Sequence, residues 1–193
     1  MGIEFELKFR ATPEQIAAVA DALTGQICYY HMQTTYYDTP SGALAERFYT
    51  LRRRLENQRS VCTLKYPTDE IGRGEVEVEC EDIQQALPLL CKQSGLQELP
   101  ALLAEGIVPI CGARFQRKAI TVTDPGCTVE VALDQGVLFG GDREIPLCEI
   151  EVELKDGSRQ AVMEYATVLA RTYGLELESS SKFRRALALA KGE

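Results

Sequence analysis

The run IEFELKFR near the start of the chain alternates Glu4, Glu6 and Lys8 with Ile3, Phe5, Leu7 and Phe9. In a strand the side-chain period is two, so two acids and a base share one face and the apolar residues the other. The pattern returns along the chain. LRRRL carries Arg52 and Arg54, VCTLKY carries Thr63 and Lys65, and GEVEVEC carries Glu75, Glu77 and Glu79. RFQRKAITVT sets Arg117 opposite Lys118, TVEVALD carries Glu130 and Asp134, and CEIEVELK carries Glu149, Glu151, Glu153 and Lys155. Carboxylate oxygens are the ligands that hard divalent cations prefer. Arginine and lysine grip phosphate oxygens. Brought to one face, the two sets would bind a metal–polyphosphate complex.

About seven strands share this division into a clean apolar face and a charged face. Two architectures bury it. One is an antiparallel sheet with helices over its apolar side and the charges in water. The other closes the sheet, with charge inside and the apolar faces outward under helices. A small barrel ordinarily fills its interior with apolar side chains. A charged interior needs internal pairing, water and a charged ligand. Segregation by strand favours closure, because three glutamates at alternate positions of GEVEVEC gain nothing on an open wet face. Parity alone does not separate the two.

The helices that must support these strands announce themselves by their ends. Thr12-Pro13-Glu14-Gln15 offers an N-cap, a proline in the first turn and a capping-box glutamine. Asp82 starts a helix toward Gly95, which Pro88 is expected to kink or shorten. LPALLAEG reads as a short helix, Ser158 caps a longer one that Gly174 stops, and SSSKFRRALALAKG is the last. TTYYDT is expected as an edge strand before the turn at Pro40-Ser41-Gly42. His31, beside Tyr29 and Tyr30, is expected in a loop without a catalytic role, and Arg53 and Lys118 have outward parity.

The chain of 193 residues suits one domain, 1–193, with a real core. A net charge of −8 argues against nucleic acid or an anionic membrane as partner, though not against an anion in a local basic pocket. No apolar run approaches the roughly 20 residues of a membrane span, and no signal peptide is read, so the cytoplasm is the expected location. The seven cysteines include no CxxC and read as reduced core residues.

Taken in order, these motifs resemble the CYTH domain, the triphosphate tunnel metalloenzymes. Glu4-x-Glu6-x-Lys8 resembles the ExExK signature, and Tyr36-Tyr37-Asp38-Thr39-Pro40 the segment before the arginine strand. Leu51-Arg52-x-Arg54 resembles LRxR, Thr63-x-Lys65 resembles TxK, and Arg73-Gly74-Glu75-Val76-Glu77 resembles R-x-E-x-E. Arg117, ALDQG, Glu149-x-Glu151-x-Glu153 and Ser181-Lys182-x-x-Arg185 match later positions. Gly74 stands where the pattern has proline, and Ile120 where it often has an aromatic.

The resemblance implies an α+β fold: an eight-stranded antiparallel β-barrel forming a tunnel with a charged interior, helices packed outside. It implies a metal-dependent triphosphatase, in which a metal-activated water attacks the terminal phosphorus of a small-molecule triphosphate. Inorganic tripolyphosphate is the expected substrate. A class IV adenylate cyclase, a thiamine triphosphatase and a non-catalytic polyphosphate-binding module are the alternatives. By the same resemblance Lys8, Arg52, Arg54, Lys65, Arg117, Lys182 and Arg185 bind phosphates, and Glu4, Glu6, Glu149, Glu151 and Glu153 hold Mg²⁺ or Mn²⁺. Glu4, Glu6 and Lys8 are the candidate catalytic residues, with Glu75, Glu77, Glu130 and Asp134 as supporting acids.

Overall fold

Alternating strands pair into one antiparallel sheet. The computed structural model describes residues 5–68 and 73–193, so Glu4 lies outside the described residues. The strands are β1 (Glu6–Arg10), β2 (Gln26–Asp38), β3 (Thr50–Glu56), β4 (Arg59–Pro67), β5 (Arg73–Glu79), β6 (Val108–Asp124), β7 (Cys127–Gly140), β8 (Arg143–Gly157) and β9 (Glu176–Leu177). Their order is β5-β4-β3-β2-β6-β7-β8-β1-β9.

The α+β class and the antiparallel sheet match the sequence expectation, with two differences in detail. Among the described residues the sheet has nine strands rather than eight, and no ladder joins β5 back to β1 or β9. The reason lies at the β1 edge. Phe9 and Arg10 pair with Leu177 and Glu176, so the short β9 takes hydrogen-bonding positions that a closing strand would need. The second difference concerns β2. It is a 13-residue strand in the interior of the sheet, not an edge, and it includes His31.

Register sends the charges to one face. Arg10, Glu149, Asp134, Arg117 and Tyr30 stand side by side across β1, β8, β7, β6 and β2. Two residues along, Lys8, Glu151, Ala132, Ala119 and Cys28 form the next row. Arg52 and Arg54 continue this face on β3, opposite Tyr36 and Thr34 of β2.

The other face is apolar and covered. Helices α1 (Pro13–Ala22) and α5 (Arg159–Tyr173) bury Ile16, Val19, Val162 and Leu169 against Ile120, Val131, Ile150 and Val152. Helices α2 (Ala43–Glu46), α3 (Ile83–Ser94) and α4 (Leu99–Leu102) bury Leu44, Leu90 and Leu99 against Leu51, Leu64 and Val76. Each buried aliphatic side chain contributes about 1.5–3 kcal/mol relative to exposure. Pro88 does not interrupt α3, which runs unbroken between an Asp82 cap and Gly95 in the left-handed conformation.

The last helix, α6 (Lys182–Lys191), departs from the expectation of helices outside. It crosses the charged face, packing Phe183, Ala186 and Leu187 on Met32, Tyr36, Phe115 and Leu138. Gly140 permits that approach, since a Cβ there would stand 2.4 Å from the Ala186 carbonyl oxygen. Gly74 is likewise matched to its surroundings: a Cβ would lie 2.4 Å from the Tyr66 ring.

The Tyr-Tyr-Asp-Thr-Pro segment is explained here. Asp38 is buried and accepts the N–H groups of Thr39 at 2.7 Å, Leu44 at 2.9 Å and Ala45 at 3.1 Å, so it caps the turn that leads into β3. Asp38→Ala strands those donors. It should cost about 1–3 kcal/mol in unfolding free energy by urea denaturation.

Candidate active site

Three carboxylates converge beneath the first turn of α6. Oxygens of Asp134, Glu149 and Glu151 all lie within 4.8 Å of one another. Asp134 and Glu149 have 0 % exposure. Ser181 caps α6 through the Arg184 N–H, which fixes where the next side chain begins. From there the Lys182 ammonium reaches between the acids, 2.8 Å from Asp134, 2.8 Å from Glu151 and hydrogen-bonded to Glu149. Arg117 grips Asp134 with Nε and Nη2, both at 2.7 Å, and Glu151 with Nη2 at 2.5 Å. One turn along α6, Arg185 donates to Glu149. Two buried carboxylates and a half-buried one thus meet three side-chain cations.

Burial opposes every one of these ions. It would push the Glu151 carboxyl up, but the Lys182 ammonium and Arg117 guanidinium overcome it and hold that carboxyl well below the usual range. Burial would lower Lys182, yet Glu151, Asp134 and Glu149 raise it instead. Arg117 is raised against its own burial by Asp134 and Glu151.

A second bank of cations lies on β3 and β4. Lys65 is 3.1 Å from Glu75, and Thr63 donates to Glu77 at 3.0 Å. Arg52 stands 3.7 Å from Glu75 and 3.8 Å from Glu77, and Arg54 stands 3.6 Å from Glu56. Among the described residues, the buried Nε groups of Arg52 and Arg54 have no hydrogen-bond partner. Arg54 is pushed below the ordinary arginine pKa by burial, then by repulsion from Arg52 and Arg117.

Glu6, Glu153 and Glu130 form a further row on adjacent strands. Lys8 is 3.4 Å from Glu6, and Lys155 is 2.9 Å from Glu153 and 3.7 Å from Glu130. Among the described residues, the expected metal ligands Glu149 and Glu151 therefore meet Asp134, while Glu6 and Glu153 lie along the face.

Two residues escaped the sequence reading. Glu178 is buried at 3 % exposure, accepts from Arg10 Nε at 2.7 Å and from the Ser180 N–H at 2.7 Å, and lies 3.7 Å from Arg185. Its own N–H donates to the Lys8 carbonyl, which ties the approach to α6 onto β1. The available signals were slight: Arg10 shares the parity of Lys8, and Glu178 precedes the cap Ser181 by one turn.

Burial would raise the Glu178 carboxyl, but the hydrogen bonds from Arg10 and the Ser180 N–H, with the Arg185 charge, hold it low. A carboxyl depressed in the folded state stabilises above its unfolded pKa of about 4.3. That contribution is lost as pH falls through the folded value. Glu178→Gln should lower stability at neutral pH and flatten its decline between about pH 5 and pH 3, read from melting temperatures across pH.

The CYTH domain profile matches residues 2–187. The chain belongs to the CYTH domain family. An inorganic triphosphatase from Haemophilus influenzae is 29 % identical over 192 residues, covering 96 % of this chain and 54 % of that protein. The chain thus spans about half the length of that curated relative. Among solved structures, a Hippeastrum protein put forward as an adenylyl cyclase, and described as having a dominant triphosphatase activity, superimposes with a TM-score of 0.69. It is 21 % identical, with 100 % of this chain and 97 % of that chain covered. A Pyrococcus horikoshii protein gives 0.62 at 21 % identity, covering 95 % and 98 %. These likenesses show the fold. Among the described residues, no helix is long and apolar enough to cross a membrane.

The residues present fit a divalent cation. Asp134, Glu149 and Glu151 form an all-oxygen donor set of the kind Mg²⁺ and Mn²⁺ take. The ammonium of Lys182 already stands among them as a cation.

Proposed function

We propose that this domain is a triphosphatase that hydrolyses inorganic tripolyphosphate with Mg²⁺ or Mn²⁺. The observation that carries the reading is the pair Arg52 and Arg54, whose buried Nε donors have no partner among the described residues, with Arg54 repelled by both Arg52 and Arg117, which calls for an added anion. Preference for the inorganic substrate rests on the name of the Haemophilus influenzae relative and on charged groups that recognise phosphate itself.

In this reading Arg52, Arg54 and Lys65 hold phosphate oxygens from the β3–β4 side. Lys8, Arg117, Lys182 and Arg185 hold them from the other side. Lys182 lies at a helix N-terminus, which adds a favourable dipole. Glu75 and Glu77 keep Lys65 and Arg52 in place. Glu130, Glu153 and Lys155 form a charge cluster that flanks the same face.

Asp134, Glu149 and Glu151, with Glu6 and Glu153 farther along the face, would hold the metal, and Glu4 is proposed as a further ligand. When bound, it supplies charge neutralisation and a water of lowered pKa. Glu6, with Lys8 3.4 Å away steadying the charge, orients the attacking water and accepts its proton, a role proposed for Glu4 as well. A bond forms from the water oxygen to the terminal phosphorus, and the bridging P–O bond breaks. Pyrophosphate leaves, its developing charge met by the arginines. Such phosphoryl transfer depends on positioning and charge neutralisation rather than on a protein nucleophile.

The test supplies tripolyphosphate, ATP and thiamine triphosphate with Mg²⁺ or Mn²⁺, with EDTA as control. Orthophosphate release should be fastest from tripolyphosphate and should stop in EDTA. Cyclic AMP as the main product from ATP, faster release from thiamine triphosphate, or binding without turnover would overturn the reading.

A further inference from the structure

The acid cluster and the arginine bank are unequally satisfied. Asp134, Glu149 and Glu151 are saturated by Lys182, Arg117 and Arg185. Across the face, Arg52 and Arg54 keep orphaned buried N–H groups, as does the Nε of Arg185 beside Glu149. Arg117 belongs to both sets: it bonds Asp134 and Glu151, and it is close enough to Arg54 to repel it. A divalent cation entering the cluster while all three side-chain cations stayed in place would leave it overcharged.

We propose that Lys182 is an exchangeable resident cation, which occupies the metal position among Asp134, Glu149 and Glu151 and gives it up when the metal enters. A polyphosphate bound at Arg52 and Arg54 offers Lys182 an alternative anion. Metal and polyphosphate therefore favour each other's binding, and the coupling is reciprocal. The fraction of molecules with Lys182 seated in the cluster lowers the apparent metal affinity by that fraction. This inference rests on the reading of the cluster as a metal site. Its test is metal binding without turnover, so it fails or stands apart from the triphosphatase assay.

Mn²⁺ affinity is measured by electron paramagnetic resonance on the whole protein without phosphate. Lys182→Gln should bind Mn²⁺ at least about 10-fold more tightly than the parent. Arg185→Gln removes one charge beside Glu149 but leaves Lys182 seated, so it should gain clearly less. Equal gains in the two variants would show a general charge effect and overturn the exchange, as would an unchanged or weaker affinity in Lys182→Gln.

A second measurement uses the parent alone, should a variant fail to fold. Lys182 is 8 % exposed and its ammonium is held among three carboxylates, so its protons should give a slowly exchanging signal in a lysine-labelled sample. Saturating Mg²⁺ should abolish that signal. Its persistence at saturation refutes the proposal.

Discussion

Arg54→Met is expected to raise the melting temperature while removing most of the activity. Arg54 is half-buried, its buried Nε has no partner among the described residues, and Glu56 stands 3.6 Å from its guanidinium. Burial, Arg52 and Arg117 all disfavour its charge. Replacing such a cation with an apolar side chain of similar length removes desolvation and repulsion together. A gain of about 1 kcal/mol is the scale found for relieving functional-site strain. It corresponds to roughly 2–4 °C in a domain of this size. Turnover of tripolyphosphate should fall by about 10²–10³-fold, the usual cost of losing one preorganised donor. Scanning calorimetry and a phosphate-release assay on one preparation check both signs. A falling melting temperature would mean that Arg54 is structural, and its claim as the anion site would go with it.

Asp134→Ala should act in the opposite sense on stability. Asp134 has no exposed surface, receives both 2.7 Å bonds from Arg117 and lies 2.8 Å from Lys182. Removing it leaves three cations, Lys182, Arg117 and Arg185, to share Glu149 and Glu151. Breaking a buried ion network by deleting one partner costs about 3–5 kcal/mol, or roughly 6–20 °C in melting temperature. Asp134→Asn keeps the shape but not the charge and should fall between parent and alanine variant. Both variants should lose metal-dependent turnover. Activity at the parental level in a folded Asp134→Asn protein would show that the cluster is only a structural counterweight to Arg117.

Much of this architecture could be read from alternation. Parity placed Glu6, Lys8, Arg52, Arg54, Lys65, Glu75, Glu77, Arg117, Asp134, Glu149 and Glu151 on charged strand faces, and the ladders set those faces side by side. Helix ends were equally clear, because Thr12, Asp82, Ser158 and Ser181 each cap a helix with a side-chain oxygen. Parity says which way a side chain points, but not which strand stands beside it. The run from Gln33 to Thr35 does not alternate in polarity, so β2 gave no sign of its length or its interior place.

The apolar residues of α6 suggested a helix under the sheet's greasy side. What decides its placement is Gly140 on a distant strand and the ring of Phe183 5.0 Å from Tyr36, both long-range matters. Glu178 was hidden in another way. An isolated acid in a connecting segment looks solvated until the fold buries it against Arg10 and Arg185.

The seating of α6 across the charged face has one more effect. Its first turns carry Lys182 and Arg185, which together with Arg117 of β6 neutralise the three acids contributed by β7 and β8. If the helix lifted away, both positive groups would leave at once and the acids would repel one another. Here the electrostatic penalty of departure acts as a latch, holding α6 as firmly as the sheet beneath it. Its amide protons should then exchange with solvent on the timescale of global unfolding rather than of local opening.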